Sequence, residues 1–158
     1  MADARFSDGG ETALNIAAQD AEDLAILSAL VQDAVFPITE MAWQPKKRQF
    51  DLLLNRFRWE DRAAADRDAR TYERVRSVLQ VQDVLSIKTL GIDRADKDTI
   101  LSLLSVTFTP GPDGTGDLRL TLAGDGAIAL TVEALGVTLK DVTRPYFAPS
   151  RKAPAHPD

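Results

Sequence analysis

The fold is decided by FPITEMAWQPKKRQFDLLLNRFRW, Phe36–Trp59. Phe36, Ile38 and Ala42 share one parity of an extended segment, and Met41 and Trp43 the other. Gln44-Pro45-Lys46-Lys47-Arg48 breaks the alternation, since proline presets a turn φ and the cations hold the tip in water. Phe50, Leu52 and Leu54 then take one face, and Leu53, Phe57 and Trp59 the other. The stretch predicts one β-hairpin whose second strand is central in a sheet or bends between two packing surfaces. Arg56 and Arg58 fall on the parity of Phe50 and Leu52, so the apolar face is expected to switch near Asn55, as at a bulge. Both tryptophans lie here, which places the hairpin at the centre of the expected core.

Upstream, residues 1–12 are polar and glycine-containing and read as a disordered lead. Leu14, Ile16 and Ala18 alternate as a first short strand. Asp20 is the expected N-cap of a helix, with Glu22 and Asp23 in its first turn. Leu24, Leu27, Leu30, Val31 and Ala34 form an apolar stripe at helical spacing, and Pro37 cannot continue the helix.

Downstream, Glu60–Thr71 is charged and lacks an apolar stripe, so a solvated loop is expected. Val75, Leu79, Val81, Leu85 and Ile87 share a parity interrupted by Asp83, which marks a turn or sharp bend at Gln82-Asp83. Ile100–Thr109 is the most hydrophobic run and reads as a well-buried strand, with a helix as the other reading of Asp98–Ser105. Gly124-Asp125-Gly126 reads as a hairpin turn between Leu118/Leu120/Leu122 and Ile128/Leu130/Val132. Gly136 marks a bend before Val137 and Leu139. Residues 13–142 thus form one globular domain, and 143–158 a proline-rich tail.

Composition narrows the function classes. The net charge of −5 over 158 residues disfavours nucleic acid as a partner. Cysteine is absent and the lone His156 lies in the tail, so no disulfide, thiolate zinc site or cysteine nucleophile is available. No apolar run reaches the roughly 20 residues of a membrane span, and the first residues lack a secretory apolar core. A cytoplasmic protein is expected. Gly-x-Ser-x-Gly, Walker-type and GxGxxG motifs are missing, so no cofactor and no catalytic residue is nominated.

The segments AQDAEDLAILSALVQDA, NRFRWE at 55–60 and LAGDGAIALTVEAL resemble an uncharacterised, mainly alphaproteobacterial family catalogued as a domain of unknown function. The resemblance covers nearly the whole chain. Glu133 fits the acidic ending of the last strand in that family, while Leu135 and Gly136 depart from a more polar pattern. It implies a bacterial origin and brings no activity.

The most site-like residues are Asn55, Arg56, Arg58 and Trp59, with Glu60 beside them. One reading is an anion pocket, in which arginine forks grip a carboxylate or phosphate beside Trp43 or Trp59. The other is structural, with Arg56 or Arg58 paired to Glu60 or Glu133 and Asn55 satisfying backbone at a bulge. Lys46-Lys47-Arg48 is read as a solvated turn. Asp93, Asp96 and Asp98 lack the glycine and terminal glutamate of an EF-hand loop and are read as turn residues.

The expected architecture is α+β: a mainly antiparallel curled sheet or small, partly open barrel of about seven to nine strands. One amphipathic helix near the N-terminus closes it, giving a pleckstrin-homology-like general shape by analogy. A two-layer sheet-and-helix sandwich is the alternative. The expected function is a non-catalytic binding or interaction module, with a protein partner or a small anionic ligand. The alternative is a small hydrolase-type enzyme with a carboxylate-based site.

Overall fold

In the computed structural model, residues 13–147 except Arg94 are described. The expected hairpin is there, but its first arm is cut in two. Val35–Pro37 forms β2, a 3-10 turn follows at Ile38–Glu40, and Met41–Gln44 forms β3. Pro37 supplies no N–H to a ladder, so extended pairing stops there. Gln49–Phe57 forms β4, joined to β3 by a turn in which Arg48 takes φ 55°.

The remaining elements are β1 (Asn15–Ala18), α1 (Ala21–Leu30), α2 (Arg62–Arg67), β5 (Glu73–Val81), β6 (Val84–Leu90), β7 (Ile100–Pro110), β8 (Gly116–Leu122), β9 (Ala127–Val132), β10 (Val137–Asp141) and β11 (Tyr146–Phe147). They make an 11-stranded sheet in the order β1-β10-β5-β4-β2-β7-β8-β9-β6, with β3 also on β4 and β11 on β5. Every ladder among the described residues is antiparallel. The path does not close, and its ends are β1 and β6. Pairing extends to Phe147, which lies against Glu73 of β5.

β4 is the central strand, flanked by β5 on one side and by β2 and β3 on the other. Phe50, Leu52 and Leu54 are buried in the main core, as their parity dictates. The expected switch at Asn55 does not occur. Register with β5 is continuous from Phe50 to Phe57, so Arg56 stays on the apolar face and goes under with it. Phe57 is buried on the opposite face, against Trp59 and Tyr72 at ring-centroid distances of 4.7 and 5.5 Å. The core is centred on β4 without β3, whose Trp43 is 36% exposed.

Asp20 caps α1, its Oδ1 accepting from Asp23 N at 2.8 Å. Leu24 and Leu27 face the sheet, but Ile26 lies outward at 59% exposure, so the outer face of this helix is not uniformly polar. Ser28 Oγ accepts from Val106 N at 2.8 Å, beside the irregularity in β7–β8 pairing at Leu103/Ser105. That irregularity brings both Leu103 and Val106 into the core, whereas Ile100 lies at the strand end with 60% exposure.

Two further expectations change. Glu60–Thr71 is a 3-10 turn followed by α2, anchored by buried Ala65 and by the Arg70–Asp61 pair. The chain does bend at Asp83, with φ 56°, but the shared parity fails beyond it. A register shift between Val84 and Ser86 buries Val84 and leaves Leu85 49% exposed. β6 also leaves β5 altogether and pairs with β9.

Candidate functional site

Arg56 carries the densest polar contacts of the fold. β4, β5 and β10 are neighbours, and their register sets Ser77 opposite Leu54 and Asp141 opposite Ser77. Arg56 Nε donates to Ser77 Oγ at 3.1 Å and to Asp141 Oδ1 at 3.2 Å, and Nη2 donates to Asp141 Oδ1 at 3.1 Å. Ser77 Oγ donates to Asp141 Oδ1 at 2.7 Å. The 3-10 turn after β4 swings Glu60 back, so that its two oxygens accept from Arg56 Nη1 at 2.9 Å and Nη2 at 2.8 Å. Each guanidinium nitrogen of Arg56 is therefore used within the protein.

Arg58 is buried too, paired through Nη1 with Glu73 and standing 3.6 Å from Glu60 through Nε. Arg70 forks onto Asp61 at 2.7 and 2.8 Å. In this cluster the three guanidiniums face four carboxylates, an excess of one negative charge. Burial opposes the Arg56 charge, but the hydrogen bond and charge of Glu60, with Asp141, hold its pKa above the ordinary value. Burial likewise pushes Glu60 upward, yet its hydrogen bond to Arg56 and that charge bring it below the usual carboxylate range.

The other residues expected at this site are close but differently engaged. Trp59 Nε1 donates to Gln32 O at 2.9 Å, and the Arg62 guanidinium lies 5.9 Å from its ring centroid. Asn55 points to the other face, donating to Tyr146 Oη and accepting from Arg74 Nη1 at 3.3 Å. The hollow beside Asn55 has about 50 Å³, room for about one or two waters. Glu133 pairs with Arg48 at 2.7 Å instead of with Arg56 or Arg58. Asp93 and Asp96 serve as turn residues, accepting from Ala95 N at 3.0 Å and Asp98 N at 3.1 Å. His156 lies outside the described residues.

A second feature has no counterpart in the sequence reading. A cleft of about 520 Å³ opens between β3 and β6. Met41 and Trp43 line it from β3 and Ile87 and Thr89 from β6, with Phe50 and Ile128 also in the wall. Ile38, Thr39 and Lys97 complete it. Val84 N donates to Arg48 O at 2.8 Å and pins the hairpin tip to the start of β6, while Ile38 N donates to Thr99 O at 3.0 Å. Among the described residues, β3 pairs only with β4 and β6 only with β9, so two strand edges flank the gap.

No group of three or more Asp, Glu or His side chains that could hold a metal is found among the described residues. Among them, no helix is long and apolar enough to cross a membrane. Residues 14–156 match the family described as Protein of unknown function (DUF2948). No curated protein and no solved structure matches the chain.

Proposed function

We propose that the chain, which belongs to the DUF2948 family of proteins of unknown function, is a non-catalytic binding module whose ligand seat is the cleft between β3 and β6. The observation that supports this reading is the cleft itself: about 520 Å³, walled by Met41, Trp43, Phe50 and three isoleucines together with Thr39, Thr89 and Lys97. Small-molecule seats have this size and make-up, roughly 300–1,000 Å³. Trp43, partly in water at the wall, gains contact area from an apolar occupant. In this reading the sheet is a small, partly open barrel with the cleft as its mouth, pleckstrin-homology-like in general shape by analogy alone. A bacterial cytoplasmic setting belongs to the same reading.

The cleft favours binding over catalysis. Among the described residues its wall contains Lys97 but no carboxylate and no histidine, whereas carboxylate-based hydrolysis needs acid and base within reach of the substrate. The carboxylates that do converge, Glu60 and Asp141, are bound to Arg56. A depressed Glu60 pKa keeps that group ionised, the reverse of what a general acid requires. The hydrolase reading therefore stands second.

Isoleucine methyl labelling tests the seat. On titration with 1-decanol, the Ile38, Ile87 and Ile128 methyl signals should shift while Ile16 and Ile26 stay in place. Unmoved cleft methyls at saturating decanol would remove the reading.

A further inference from the structure

We infer that the cleft takes a free monocarboxylate with an apolar body, its head at Lys97 and its body on Phe50 and Trp43. This rests on the cleft being the ligand seat. The polar side chains of the wall gather at one end, where Ile38 and Ile128 also lie. Trp43, paired with Phe50, lies along β3 toward the Arg48–Val84 hydrogen bond that pins the hairpin tip to β6. Thr39, Thr89 and Lys97 all fall farther from that joint along their segments. An occupant complementary to this arrangement is apolar at one end and polar at the other.

The sign and number of its charges follow from Lys97. It is exposed, and it enters no ion pair or hydrogen bond with the described residues. Its acidic neighbours Asp93, Asp96 and Asp98 are not in the cleft wall, and two of them already accept backbone N–H bonds. Among the described residues the wall thus offers one ammonium and two hydroxyls. That is a point-charge site for a single carboxylate, without the planar forks that grip a doubly charged phosphate bidentately. Burying a chain end against Trp43 and Phe50 contributes affinity by area, and the ammonium selects the head group.

Isothermal titration of the full chain with decanoate, 1-decanol and decylammonium, below their aggregation concentrations, tests this. Decanoate should bind about tenfold tighter than decanol, the factor of one modest charge-assisted contact. In Lys97→Met the two should bind alike. Thr89→Trp, which fills the wall, should weaken all three ligands. Thermal melts verify that both variants fold. Equal binding of decanoate and decanol to the native chain would overturn the carboxylate assignment and leave the seat standing. Preference for decylammonium would do the same. Binding by none of the three would overturn both readings. An extended apolar peptide that binds where decanoate does not would replace the occupant with a strand added to the open edges.

Discussion

Arg56 Nη2 stands 3.1 Å from Asp141 Oδ1, with the Arg56 side chain fully out of water and that of Asp141 2% exposed. The contact joins β4 to β10 across β5, so it ties three strands on one face. Desolvating two charges is costly, and the pair persists because Glu60 takes the other donors of Arg56 while Ser77 Oγ and Leu14 N donate to Asp141. Removing one partner strands the other. Arg56→Met should cost about 3–5 kcal/mol in urea unfolding. Replacing Asp141 as well should recover part of that loss. Strictly additive losses would show that the two charges do not depend on each other.

Glu60 sets an acid limit on stability. Its folded pKa lies below the ordinary value of 4.5. Its contribution is thus fully present above that value and is lost as pH falls through the depressed folded pKa. The native chain should lose urea resistance more steeply below about pH 4.5 than Glu60→Gln does. Parallel pH profiles of the two would contradict this assignment.

Gly116 begins β8 where no side chain fits. A Cβ there would come within 2.5 Å of Phe108 Cζ and of Thr109 O, and the latter is backbone that cannot rotate away. Gly116→Ala should cost about 1–3 kcal/mol through overpacking, read as a lower urea midpoint. An unchanged midpoint would mean that β7 and β8 are paired in another register.

Arg48 and Glu133 form the opposite case to Arg56. Their 2.7 Å contact is between side chains 42% and 57% exposed. Water screens such a pair, so Glu133→Gln should change stability by no more than about 1 kcal/mol. A larger loss would mean that the Arg48 turn depends on this contact to hold β6.

The sheet was legible wherever period-two patterning and local turns act together. Leu118, Leu120 and Leu122 answer Ile128, Leu130 and Val132 across the Gly124 turn, and all six are buried. Patterning failed where pairing is non-local. Nothing in Val84–Leu90 announces that it leaves β5 for β9, and Ile87 and Thr89 of that strand line the cleft. The arginine cluster left a trace that could have been followed. Phe50, Leu52, Leu54 and Arg56 alternate on β4, as Val137, Leu139 and Asp141 do on β10. Each apolar alternation ends in a charge of opposite sign on the core parity, and the two charges meet. Glu133 follows Val132 off the core parity and pairs with Arg48 instead.

Arg56 and Arg58 are engaged by carboxylates of the fold, whereas the cleft between β3 and β6 is open, and one amide NMR titration series addresses both. Decanoate and phosphate are added in turn to the same labelled chain at constant ionic strength. Decanoate should move Met41–Gln44, Val84–Leu90 and Lys97, and phosphate should leave Asn55, Arg56, Arg58 and Trp59 unmoved. Saturable phosphate shifts at Asn55–Trp59, with the β3 and β6 amides silent to decanoate, would contradict it.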